Sequence, residues 1–316
     1  MSTSGAALAA ASVEEGRFRG EPAIIVTAGD LSATFLPGLG MTGVSLEYRG
    51  REHLALPGGL PALRAGATLG LPLLAPWANR LSAWRYRAAG FEVDLAGLPL
   101  VTDRNNLPIH GLLLGQPGWR VHGGRARNGA ASFRAAIDVD AAAFPYPHRI
   151  EITVGARDHR LALDTTVIPT GRRPVPVAFG WHPYLRLPGS PRSSWLLHLP
   201  ARDHRALDAS GLPTGGSASE PPEAEPIGRR TFDDLYALDG DRRLAVVAGD
   251  GTSITVDSGP GYPFGQVWVP AGRPFVALEP MTAATNSLVD GTAPLLQPGE
   301  EFTARFTITL GAPQGT

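Results

Sequence analysis

Apolar and polar residues alternate with a period of two along much of this chain. The clearest run lies near the C-terminus, where Phe302, Ala304, Phe306, Ile308 and Leu310 alternate with Thr303, Arg305, Thr307 and Thr309. Successive side chains of a strand point to opposite faces, so this pattern predicts a strand with one face in a core and one in water. Ile150, Ile152 and Val154 repeat the pattern, as do Leu161, Leu163, Thr165 and Val167, and β-branched residues favour strands in both. No 3.6-residue period persists for more than a few turns. The 39 Gly and 30 Pro are spread between the apolar runs as punctuation. Many short strands joined by turns predict an all-β fold, a sandwich or barrel.

A chain of 316 residues can be one large β domain, and residues 19–313 are read as a single sandwich domain. Residues 1–18, MSTSGAALAAASVEEGRF, are read as a flexible N-terminal tail. They lack a basic n-region and turn acidic at Glu14 and Glu15, which speaks against a signal peptide and for a cytoplasmic protein. The stretch from Ala209 to Arg230 reads as an irregular surface excursion. Gly38, Gly40 and Gly43 spell G-x-G-x-x-G, but the strand-like VSLEYRG follows where a dinucleotide site needs a helix N-terminus. A turn between strands is expected there.

The formal net charge is −1 and 18% of residues are charged, with no basic stripe in the sequence, so nucleic acid and other polyanions are not expected as partners. Cysteine is absent, which removes disulfides, thiolate nucleophiles and sulfur-rich metal sites. No stretch approaches the roughly 18 apolar residues of a spanning helix, so no membrane partner is expected. His122, His148, His159, His198 and His204 lack a supporting motif and are read as solvated or locally hydrogen-bonded. Asp138 and Asp140 share one strand face without the continuation of a calcium loop and are expected in solvent. Of the six tryptophans, Trp181 and Trp268 adjoin candidate site residues.

Four distant segments carry side chains suited to proton transfer on a sugar beside Gly, Pro or aromatic residues. They are APWANRL around Asn79 and Arg80, NNLPIHG ending at His110, FGWHPYL around His182, and FVALEPMTAATNSL around Glu279. In this order they resemble the active-site motifs of the aldose 1-epimerases, the mutarotases that interconvert α and β anomers of sugars. The resemblance runs from about residue 71 to about residue 290. It implies the large galactose mutarotase-like β-sandwich, or supersandwich, with a cleft on one sheet face and no cofactor or metal. By the same resemblance Glu279 is the general base, His182 the general acid, and His110 its neighbour near the ring oxygen. Asn79, Arg80, Tyr184, Asp233 and Gln266 fall at substrate-contacting positions, and the Asp233–Asp234 doublet leaves that register open by one.

Ring opening of a hemiacetal needs a base at the C1 hydroxyl and an acid at the ring oxygen, roles a carboxylate and an imidazolium can exchange within a turnover. A carboxylate neighbour is expected to raise the protonated fraction of His182. Leu112 after His110-Gly111, and Leu185-Arg186 after Tyr184, depart from the galactose-type pattern and leave the sugar open, including free against phosphorylated hexose. A non-catalytic sugar-binding module remains an alternative, as does a metal site of His110, His182 and Glu279. A small sugar is the expected partner, and a monomer or homodimer the expected assembly.

Overall fold

The computed structural model describes residues 10–312. Its largest sheet is antiparallel and has nine strands. Their order is Glu223–Pro226, Leu196–Leu199, Arg243–Val247, Ser253–Ser258, Phe302–Gly311, Arg160–Pro169, Phe144–Arg157, Ala130–Ala141 and Arg120–Arg127. An eight-stranded sheet runs from Pro213–Glu220 through Arg202–Leu207, Phe232–Ala237, Phe264–Val269, Val276–Met281 and Gly180–Trp181 to Leu73–Leu74. Its remaining strand, Tyr184–Leu185, also pairs with Val276–Met281. A five-stranded sheet gathers the N-terminal strands up to Arg51–Glu52.

The period-two pattern does what it predicts. In Phe302–Gly311 the side chains of Ala304, Phe306, Ile308 and Leu310 are at most 1% exposed and belong to one continuous core. Burying a side chain of Phe306's size contributes about 1.5–3 kcal/mol. Across this core the eight-stranded sheet contributes Trp181, whose indole lies 5.8 Å from the Phe306 ring and donates to Thr165 Oγ1 at 3.0 Å. The two large sheets therefore pack as a β-sandwich, with their outer faces turned away from each other.

Two readings of the sequence need correction. Residues 11–18, taken as the end of a flexible tail, form the strand Ala11–Phe18, paired along its length with Glu21–Ala28. Val13 packs against the core while Glu14 and Glu15 stay exposed. The first nine residues of that tail lie outside the described residues. The supposed irregular excursion holds two strands, Pro213–Glu220 and Glu223–Pro226, which form the edges of the eight- and nine-stranded sheets respectively. Both are mostly exposed, so backbone pairing holds them and no apolar alternation marks them.

The glycine fingerprint is a turn, as read: a single 3-10 turn at Pro37–Leu39, then Gly40 at φ 72° and the strand Thr42–Tyr48. No helix among the described residues is long and apolar enough to cross a membrane.

Candidate active site

The outer face of the eight-stranded sheet is built by the same alternation that fills the core. Leu278, Val267 and Trp181 point inward and are fully buried. Their neighbours Glu279, Gln266, Trp268 and His182 therefore point outward. Glu279 lies directly across from Gln266, which lies across from Leu235; one step along, Trp268 lies across from Asp233. His182 comes beside Glu279, with Nε2 and Oε1 3.2 Å apart. Trp181, singled out in the sequence for its position, belongs to the core side and takes no part.

The cluster has a floor and a rim. Glu279 is 2% exposed, Gln266 1% and His182 5%, whereas the Asp233 side chain is 43% exposed. Gln266 Nε2 donates to Asp233 Oδ1 at 2.8 Å. Asp234 faces the other way, within 3.4 Å of His204 Nε2, so Asp233 is the aspartate that joins Gln266 and Arg80.

Arg80 links the rim to two loops. Its Nη2 donates to Asp233 Oδ2, its Nε to Asp103 Oδ2 and its Nη1 to Asn79 Oδ1, each at 3.1 Å. Asn79 is buried and takes a left-handed φ of 55°, a conformation Asn tolerates better than most residues. The Asn79 carbonyl accepts from the His110 amide at 3.0 Å, which ties the Asn79 and His110 segments together. Asn286 closes the loop from a third side, because its amide donates to the Arg80 carbonyl and its Oδ1 accepts from the Ser82 amide. Its place in the TNSL motif is thus architectural.

Gly111 also has a local reason. At φ 70° its missing Cβ would stand 2.2 Å from the Ala75 carbonyl oxygen, so the close approach is to the chain's own backbone and not to a ligand.

Aromatic rings fix the imidazoles. Tyr184 stacks on His182 with centroids 4.7 Å apart, and its hydroxyl is engaged by Thr68 Oγ1 at 2.6 Å. Tyr184 is 4% exposed, as buried as the His182 ring that it backs. Trp268 and His110 meet the His182 ring edge-on, each with centroids 5.6 Å apart. His182 Nδ1, His110 Nδ1 and Gln266 Oε1 are enclosed without a hydrogen-bond partner. Three such atoms in one cluster cost about 1–3 kcal/mol each.

Asp103, Thr68 and Phe275, which packs on Tyr184, were not read from the sequence. The one cue for Asp103 was its position ahead of Asn105, Asn106 and Pro108. Its carboxylate caps that turn by accepting from the Asn105 and Leu107 amides. Burial opposes charge on Asp103, but the Leu107 and Asn105 amides and Arg80 hold its carboxyl below the usual range.

Burial dominates the electrostatics of the central pair. It pushes Glu279 well above the usual carboxylate range, with the Asp233 charge adding and the Arg80 charge opposing. It pushes His182 down to about 3. Burial thus favours neutral His182, the opposite direction to the rise in protonated fraction expected from a carboxylate neighbour. His110 is lowered well below its ordinary value by burial, with His182 and Arg80 adding. Among the described residues no group of three or more His, Asp or Glu side chains is arranged to hold a metal ion, so the trio of His110, His182 and Glu279 does not form a ligand set.

The fold and this cluster can be compared with known proteins. A galactose mutarotase-like protein from Clostridium acetobutylicum superposes with a TM-score of 0.84 at 19% identity, over 95% of this chain and 98% of the other. The galactose 1-epimerase of Lactobacillus acidophilus NCFM gives 0.77 at 13% identity, over 97% and 100%. An aldose epimerase homologue from C. elegans gives 0.73 at 16% identity, over 96% and 100%. No curated protein matches the chain by sequence. The sequence model of the aldose 1-epimerase family matches residues 61–309, a span that contains every member of the cluster. The chain belongs to the aldose 1-epimerase family.

Proposed function

We propose that this protein is a mutarotase that interconverts the α and β anomers of a free aldose, using only its own side chains. The observation that carries the reading is the buried contact between Glu279 Oε1 and His182 Nε2 at 3.2 Å, on the face where Gln266, Asp233 and Arg80 converge. The pair carries one proton in its working state. As carboxylate and imidazolium, Glu279 takes the proton of the anomeric hydroxyl and the O1–H electrons form the C1–O1 double bond. The C1–O5 bond breaks, its electron pair stays on O5, and His182 Nε2 donates its proton there. Rotation about C1–C2 presents the other carbonyl face. Reclosure then runs the same transfers backward, so no outside acid, base or oxidant is consumed.

Burial favours this cycle at a specific point. Ring opening leaves Glu279 protonated and His182 neutral, the charge-free distribution that a desolvated site prefers. The charged arrangement is the one that must be reached with substrate in place, where the sugar hydroxyls supply hydrogen bonds that the empty site lacks. Gln266 Oε1 and the Asp233 carboxylate offer acceptors for those hydroxyls, Arg80 holds the Asp233 carboxylate in position, and Trp268 offers an apolar ring face. His110 stands against His182, near the ring oxygen in this pose.

The test is polarimetry of freshly dissolved glucose, galactose, xylose and arabinose, with hexose 6-phosphates as a second panel. Faster approach to the anomeric equilibrium for a free aldose is expected. Acceleration of none of them, with sugar binding retained, would favour a binding module.

A further inference from the structure

A cluster of arginines lies on the outer face of the nine-stranded sheet, on the opposite side of the sandwich from the candidate active site. Strand pairing assembles it. Arg127 pairs with Ala130, Ala130 with Arg157, and Arg157 with Arg160; one pair further along, Arg125 joins Ser132, Gly155, Ala162 and Thr307. All these side chains share the outer face, because Ala131, Ala156 and Leu161 between them point into the core. The small residues make a floor and the guanidinium groups a wall, around a trough of about 430 Å³. Gly155 adds open space at the centre, with nothing within 4 Å of where a Cβ would stand.

The charges here are uncompensated. Like charges directly opposite on neighbouring strands are destabilising, and Arg157 faces Arg160 in that way. Elsewhere on the same face arginines are matched to carboxylates: Arg120 and Arg149 share Asp138 at 2.7 and 2.8 Å, and Arg305 holds Asp164. Among the described residues none of Arg125, Arg127, Arg157 and Arg160 has a carboxylate within ion-pair distance. Asp158, in the turn between Arg157 and Arg160, pairs with neither, and Asp257, across from Thr307, lies beyond the trough.

We propose that this trough binds the linked phosphates of a small polyphosphate. The arginines span three strand spacings, roughly 14 Å, which a lone phosphate cannot bridge but a chain of phosphates can. Guanidinium forks suit phosphate oxygens. The walls carry no exposed aromatic ring for stacking bases and no large exposed apolar side chain for entering a bilayer, which separates this surface from single-stranded nucleic acid sites and membrane anchors. Near-neutral net charge hid the feature, and the expectation that polyanions are not partners is revised for this class.

The experiment is calorimetric titration of the full chain with inorganic tripolyphosphate, ATP and orthophosphate at low and high salt. The expected result is one site for tripolyphosphate that weakens as salt rises, with affinity reduced by about tenfold or more in Arg157→Gln/Arg160→Gln. Arg120→Gln/Arg149→Gln should bind like the parent, and mutarotation should be unchanged in both double variants. ATP binding as tightly as tripolyphosphate would mean that the phosphates alone are read; tighter ATP binding would mean that its nucleoside also contributes. Absence of tripolyphosphate binding at low salt, or binding that Arg157→Gln/Arg160→Gln leaves intact, would overturn the proposal.

Discussion

The two large sheets share one core but treat their outer faces differently. On the nine-stranded sheet, Asp138 sits between Arg120 and Arg149 with about half of each side chain in water. Those ions keep their hydration, and each such pair is worth about 0–1 kcal/mol. On the eight-stranded sheet, Glu279, His182 and Gln266 are almost fully buried, and two of these three residues hold an enclosed polar atom without a partner. Polar groups on the first face are cheap because water serves them. Those on the second are expensive, which is reasonable for groups whose partners arrive with a ligand. Accessibility and satisfaction, more than charge, separate the cluster around Glu279 from the exposed ion pairs around Asp138.

The largest effect is expected from removing one half of the buried pair. His182→Asn should slow catalysis by roughly 10²–10⁴-fold, the range for one positioned acid–base group. A loss no greater than that of a surface substitution would place the chemistry elsewhere. The pH profile of kcat/KM sharpens the same point. Activity needs one proton on the pair, so acid inactivation requires a second. With His182 pushed down to about 3 and Glu279 pushed up, that second proton binds well below neutrality. The acid limb should therefore lie far below 6.5; a limb centred near 6.5 would show that His182 titrates as in water.

Arg80→Lys is next in size. A guanidinium here meets Asp103, Asn79 and Asp233 at once, which an ammonium on a flexible stem cannot reproduce. Losing one hydrogen bond to a charged group, at about 1.5–3 kcal/mol, predicts a fall of roughly 10–100-fold in kcat/KM. Arg243→Lys is the control, since Arg243 pairs with Asp241 while its side chain is 63% exposed. Equal behaviour of the two variants would reduce Arg80 to a surface ion pair. The smallest effect belongs to the other sheet: Asp138→Asn should shift unfolding free energy by no more than about 1 kcal/mol and leave mutarotation unchanged. A large loss of stability there would mean that the exposed ion pairs carry more of the fold than their hydration implies.

Much of this was legible in the sequence, for identifiable reasons. The core strands announce themselves because alternation is a direct image of burial, as in Phe302–Gly311. The convergence of Glu279, His182, His110 and Arg80 was legible because each stands in a compact motif, whereas Gln266 had only its place before Val267 and Trp268. Edge strands such as Pro213–Glu220 were not, because backbone pairing leaves no apolar signature. The choice between Asp233 and Asp234 required the register, which sets Asp233 across from Trp268. Asp103 looks like any turn aspartate until Arg80 is seen against it, and nothing in the sequence pairs Thr68 with the Tyr184 hydroxyl. The arginines of the trough are separated in sequence and meet only through pairing.

The most direct test of the central claim is the polarimetric rate for Glu279→Gln, measured beside the parent protein on the aldose it converts fastest. The amide keeps the size and hydrogen bonding of the carboxyl but cannot take a proton from the anomeric hydroxyl. The account predicts a folded protein that still binds sugar and relaxes it at the spontaneous rate. A rate near that of the parent would contradict it.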